Sequence, residues 1–138
     1  MRKICFFITI LTLSSLTGMA QTKSGDILGV WNFAKNEGTI QIYTEANKFF
    51  GKILSGNEPE RLDTKNPDPK LRSQKLIGSV ILKNFSFNGK DKWEDGTIYD
   101  PNSGKLYSCN IRLKDNKTLE VRGYIGISLF GRTEIWTR

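Results

Sequence analysis

Eight short runs of β-type residues follow one another along this chain, and nowhere does an apolar period of about 3.6 residues persist long enough for a substantial helix. That pattern restricts the chain to sheet architectures. The runs occupy residues 29–33, 39–43, 48–54, 76–84, 92–99, 105–113, 118–124 and 132–137, and Asn, Gly, Pro, Asp and Ser punctuate them, as at Asn88-Gly89 and Asp100-Pro101-Asn102-Ser103-Gly104. The first three read as a meander of tight hairpins. Alternation gives each strand one buried face: Tyr107, Cys109, Ile111 and Leu113 share one side, Ser108, Asn110 and Arg112 the other. Eight runs of this kind fit an all-β, up-and-down barrel, which removes exposed edges by closing on itself. A two-sheet sandwich is the alternative.

The chain opens with Arg2 and Lys3, an apolar run over residues 4–16, and then Thr17-Gly18-Met19-Ala20, with small residues where a signal peptidase reads. This predicts a signal peptide over residues 1–20, cleaved after Ala20, and a periplasmic or secreted protein. The run is shorter than the roughly 20 apolar residues a spanning helix needs, so no membrane span is expected. Cys5 lies at the start of the run and not at the cleavage point, so a lipid-modified N-terminal cysteine is not expected either. Residues 21–138 then form a single β-barrel domain, large enough to stand on its own core and expected to be a monomer. Of the two cysteines Cys109 alone remains in it, which rules out an intramolecular disulfide.

The chain contains no histidine. It therefore lacks the commonest general base at neutral pH and the commonest transition-metal ligand, and one thiol cannot form a thiolate cluster. No metal, haem, other cofactor or catalytic triad is expected. Loss of Arg2 and Lys3 takes the formal charge from +7 to +5, but acids and bases alternate, as in Lys90-Asp91-Lys92-Trp93-Glu94-Asp95, which reads as a solvated surface rather than a nucleic-acid site. A carboxylate pair of the glycosidase kind is the remaining catalytic route, yet Asp95 and Asp100 fall on opposite faces of a regular strand. A non-enzyme is expected.

Residues 55–74, with Pro59, Pro67 and Pro69, exceed an ordinary hairpin loop. A helical turn is predicted at residues 69–73, capped by Asp68 with Pro69 at its first position. Asp63, Asn66 and Arg72 in this loop can bind an anion or a sugar hydroxyl through forked hydrogen bonds. Asn and Asp beside proline are equally what a turn needs. A calcium loop would require an alternating acidic spacing that Asp63 and Asp68 do not provide. Further candidate ligand-binding residues are Tyr99, Tyr107, Arg122 and Tyr124. By alternation Leu119 and Val121 point inward and Arg122 and Tyr124 outward, unless Gly123 marks a bulge. The apolar hairpin at residues 125–130 is expected to fold over the barrel end as a plug; left exposed it would be a docking element. Cys109 reads as a buried small apolar residue rather than a reactive thiol.

Two resemblances build on these residues. Gly29-Val30-Trp31 resembles the first strand of the lipocalin-like, or calycin, barrels, in which a basic side chain from the last strand covers the indole. Arg132, with Arg138 as second candidate, would take that structural role beside Trp31. More extensively, Asp63-Thr64-Lys65-Asn66-Pro67-Asp68-Pro69, Trp93-Glu94-Asp95-Gly96-Thr97-Ile98-Tyr99-Asp100-Pro101, Arg122-Gly123-Tyr124-Ile125-Gly126 and Phe130-Gly131-Arg132-Thr133 with Trp136 resemble the bacterial family known as domain of unknown function 2147. That resemblance implies an exported, lipocalin-like barrel and carries over no functional residue. The family commonly shows a cysteine near the positions of Leu54 and Ser55, so a family disulfide to Cys109 would be absent here. The resulting expectation is a protein that binds a small, partly apolar ligand in or at the mouth of the barrel. The alternative is an envelope module that docks a polymer or protein through its outer loops.

Overall fold

A computed structural model of the chain describes residues 20–138, so the expected signal peptide lies outside the described residues except for Ala20. The eight strands are β1 (Gly29–Asn32), β2 (Gly38–Glu45), β3 (Lys48–Gly56), β4 (Val80–Phe87), β5 (Lys92–Asp100), β6 (Lys105–Asp115), β7 (Thr118–Tyr124) and β8 (Gly131–Thr137). Each pairs antiparallel with the next, and β8 returns to β1 through Asn32 and Thr137, so the sheet is a closed barrel and not a sandwich.

The period of two decides what fills the barrel. Along β6, Cys109 and Ile111 are buried and Tyr107 and Leu113 half-buried, whereas Ser108 and Arg112 are exposed. Trp31, Phe85, Trp93, Ile111 and Leu119 are fully buried and pack the interior, each contributing on the order of 2 kcal/mol of apolar burial. Asp95, at φ 62°, sits in a register shift of β5 that turns Gly96 inward. A Cβ at Gly96 would lie 2.4 Å from the Phe85 ring, so the residue must be glycine for that ring to fit.

The barrel has two unlike ends. At one, a 3-10 turn over Ser24–Ile27 buries Ile27 and places its carbonyl to accept the Trp31 Nε1–H at 2.8 Å. The polar lead of this segment gave no sign of that turn. The C-terminus lies at the same end: the Arg138 guanidinium stacks 4.1 Å from the Trp31 ring centroid. Its Nε, Nη1 and Nη2 donate to the carbonyls of Asn116, Leu28 and Asp26 at 2.8, 3.0 and 2.9 Å. This corrects the expectation for Arg132, which starts β8 and so stands nearly the whole strand length from Trp31. At the other end lie the β1–β2 turn, the long connection at residues 57–79, the β5–β6 turn and the β7–β8 hairpin.

Two further expectations change. The fourth strand begins at Val80 and not at residue 76, because Gly78 takes φ 90° and the Ser79 hydroxyl folds back onto the Leu76 carbonyl. The hairpin at residues 125–130 does not plug the barrel: Ile125, Ile127, Leu129 and Phe130 are 66, 58, 75 and 73% exposed. Ile125 and Phe130 border the cavity mouth instead, and Arg122 fastens the hairpin, with Nε donating to the Ser128 carbonyl at 2.8 Å and Nη1 to the Thr133 hydroxyl at 2.9 Å.

Arg138→Ala is expected to lower the stability measured by urea denaturation by about 1–2 kcal/mol, through loss of the cation over the indole and of its hydrogen bonds. Arg132→Ala should change it by less than about 0.5 kcal/mol. Equal effects would remove the covering role from Arg138.

Candidate functional site

The closed end is filled by the aromatic core around Trp31, Phe85 and Trp93, whereas the opposite half holds a cavity of about 950 Å³ that is open to solvent on one side. Ile53, Ile81, Ile98, Tyr107, Val121 and Trp136 are among its lining residues. Trp136 and Val121 are buried and belong to the core beneath it. Gly123 also lines it, and a Cβ there would only touch Ile98 and Tyr107 at 3.4 and 3.6 Å. The missing side chain is part of what keeps the cavity empty of protein atoms.

Four of the sequence candidates come together beside this cavity in one hydrogen-bonded knot. Asp63 is the one buried charged residue among those described. Its carboxylate accepts from the Tyr99 hydroxyl at 2.6 Å and from Asn66 Nδ2 at 2.8 Å. Arg72 Nε donates to the Asn66 carbonyl at 2.7 Å, and the Asp68 carboxylate accepts from the Lys70 N–H to cap a 3-10 turn over Pro69–Leu71. The turn arises where Asp68 and Pro69 lead one to expect it. Burial, then the hydrogen bond to Asp63 and the charges of Asp63 and Asp100, push the Tyr99 phenol up to about 12. Within the knot Asp63 bonds Asn66 and Tyr99 while exposed Arg72 fastens the Asn66 carbonyl, which shapes the loop, and Tyr99 also lines the cavity.

The other candidates separate. Tyr107 lines the cavity from β6 and Tyr124 lines it from the end of β7. Arg122 is occupied in holding the β7–β8 hairpin. Arg132 stands at the mouth, with Nη2 3.2 Å from a Glu134 carboxylate oxygen.

Glu134 is a residue that sequence reasoning missed. It pairs across the ladder with buried Val121 and lies two positions before buried Trp136, so it faces inward. Its second carboxylate oxygen accepts from Trp136 Nε1 at 3.3 Å. The signal was present: an acid two residues from a strand tryptophan shares that tryptophan's face.

Cys109 is buried among apolar groups, which push its thiol up to about 12. No group of three or more His, Cys, Asp or Glu side chains among the described residues is arranged to hold a metal ion. No helix among them is long and apolar enough to cross a membrane.

A closed, eight-stranded antiparallel barrel with an N-terminal 3-10 turn at its packed end and a cavity at the other is a lipocalin-like fold. The chain belongs to the family described as "Uncharacterized protein conserved in bacteria (DUF2147)", whose model matches residues 29–138. Among solved structures it is similar to one described as "Protein HP1028 from the human pathogen Helicobacter pylori belongs to the lipocalin family", at 24% sequence identity and a TM-score of 0.74. The match covers 80% of this chain and 81% of that one. No curated protein matches the chain.

Two of the raised acids, Cys109 and Tyr99, predict a pH dependence of stability. The unfolded chain releases the thiol proton near its ordinary 9.0 and the phenol proton near 10.0, whereas the folded chain retains both until about 12. Stability should be unaffected by either group below about pH 9 and fall as the pH rises from there toward 12. Denaturation midpoints measured from about pH 7 upward should show Cys109→Ala removing the earlier part of the decline and Tyr99→Phe the later part. A native thiol that reacts freely with a disulfide reagent at mildly alkaline pH would contradict the burial of Cys109.

Proposed function

We propose that this protein is an exported, non-enzymatic barrel that binds a small, partly apolar ligand in its half-open end. The observation that carries the reading is the cavity itself. Its volume of about 950 Å³ lies within the range typical of small-molecule sites, and its wall mixes Ile53, Ile98 and Val121 with the polar tips of Tyr99, Tyr107 and Glu134. An eight-stranded barrel can be filled by side chains or can hold one small ligand, and here one end opens into the cavity. The fold alone does not specify a reaction. Of the carboxylates weighed for catalysis, Asp95 is exposed on its bulge, and Asp100 already accepts from the Asn102 N–H and the Ser103 hydroxyl.

A second reading, docking of an envelope polymer or protein, is favoured by the exposed apolar side chains of Ile127 and Leu129, which lie outside the cavity lining. The two readings place the site on different atoms, which makes them separable.

Native mass spectrometry of the protein purified from its own host should find a small molecule bound at one per chain. Gly123→Leu puts a side chain into the cavity between Ile98 and Tyr107 without a disallowed backbone and should abolish that binding, with the circular dichroism melt preserved. Leu129→Ala and Arg72→Ala, neither of which lines the cavity, should leave it intact. Retention of ligand by Gly123→Leu together with its loss in Leu129→Ala would move the site to the outer surface.

A further inference from the structure

We propose that the cavity selects a cationic amphiphile, an alkyl or aryl amine whose ammonium group pairs with Glu134 while its apolar part fills the space beside Ile98 and Tyr107. This inference rests on the ligand-binding reading and adds the chemical class.

Glu134 supplies a carboxylate on the cavity wall, held in place from within. Trp136 Nε1 donates to one oxygen at 3.3 Å and fixes the direction in which the other points. Beside it, the Phe33 ring meets the Trp136 indole edge-on, with centroids 5.0 Å apart and planes at 87°, and both residues line the cavity. The anionic oxygen can pair directly with an ammonium group, and the half-buried Phe33 ring beside it offers an apolar contact to the rest of the ligand.

Arg132 Nη2 lies 3.2 Å from the other oxygen of Glu134. That guanidinium is 85% exposed, and an exposed pair of this kind contributes little to stability. An ammonium carried in by a buried apolar chain can therefore displace Arg132 at small cost, and Arg132 is then free in solvent. A carboxylate ligand has the opposite fit. It would meet Arg132 only at the rim and would bring its charge toward Glu134 on the way in.

The wider charge pattern agrees. The chain as a whole is basic, at +7, yet the residues lining the cavity include Glu37, Glu58, Asp100 and Glu134 against Lys35, Arg61 and Arg132. The excess of positive charge lies elsewhere on the molecule, and the cavity does not share it.

Decylamine, decanol and decanoate, each below its micellar concentration, would be titrated into the purified protein and followed by tryptophan fluorescence and calorimetry. The amine should bind about tenfold or more tighter than the alcohol, and decanoate more weakly than the alcohol. Glu134→Gln keeps an acceptor for Trp136 and should bring amine and alcohol to within about twofold, with alcohol affinity unchanged. Arg132→Ala, a change at an exposed site that does not threaten folding, should tighten the amine by removing its competitor. Alcohol binding with no preference for the amine, a preference for decanoate, or an amine preference that survives Glu134→Gln would each overturn the inference while leaving the cavity reading intact. Failure of all three probes to bind would overturn both.

Discussion

The barrel depends on how its first and last strands are held together. β1 and β8 meet through a single register pair, Asn32 with Thr137, reinforced by the Asn32 side-chain amide donating to the Thr137 carbonyl at 3.1 Å. By contrast β7 and β8 pair along seven positions. A seam so short would leave two strand edges largely unpaired, and an unpaired edge is both a loss of hydrogen bonds and a template for association. Trp31 and Arg138 supply what the ladder lacks. The indole is buried and tied to the Ile27 carbonyl; the guanidinium covers it and reaches the backbone at Asp26, Leu28 and Asn116. One side chain thereby joins the N-terminal 3-10 turn, the β6–β7 turn and the end of β8.

Fixing the seam at one end lets the other end stay open. The three tryptophans and Phe85 are all fully buried, and the aromatic contacts of Trp93 with Phe49 and Phe87, at 6.1 and 4.8 Å, tighten the packed half. A void of the size found in the other half forgoes the dispersion contacts that side chains would make there. The packed half must offset that loss, and the mouth is kept in shape by means other than core burial. On one side the Asp63 knot pins the long loop to Tyr99, with Leu76 buried beneath it. On the other Arg122 fastens the backbone of the β7–β8 hairpin.

What could be read in the sequence follows from how local each determinant is. The number of strands, their inward faces and the Asp68-capped turn rest on period and turn chemistry, which neighbouring residues set among themselves. The start of β4 depended on the φ of Gly78, which β-type residues on either side of it concealed. The exchange of Arg138 for Arg132 required knowing at which end of the barrel Trp31 lies. That follows from the strand direction, because β1 enters and β8 leaves at the packed end. The exposure of Ile125 to Phe130 depends on a tertiary restraint, the Arg122 fork onto Ser128 and Thr133, which spacing does not reveal. Asp63, Asn66 and Arg72 carry the residue types of a binding site, and the hydrogen bonds that also make them a loop-shaping knot run through Tyr99 and a backbone carbonyl, which their spacing does not reveal.

Glu134 shows why residue type and position must be read together. A glutamate in a β-strand of a basic, charge-rich chain invites the assumption of a solvated face, yet its register with Val121 and its spacing from Trp136 require it to face the cavity. An inward carboxylate in the filled half of this barrel would carry the desolvation penalty of an unpaired buried charge. In the open half it stays half-exposed, accepts one hydrogen bond from a core indole and shares its other oxygen with a mobile-stemmed arginine at the rim. The arrangement satisfies the carboxylate without closing it off, which is the condition under which a charged group can serve recognition instead of merely being tolerated by the fold.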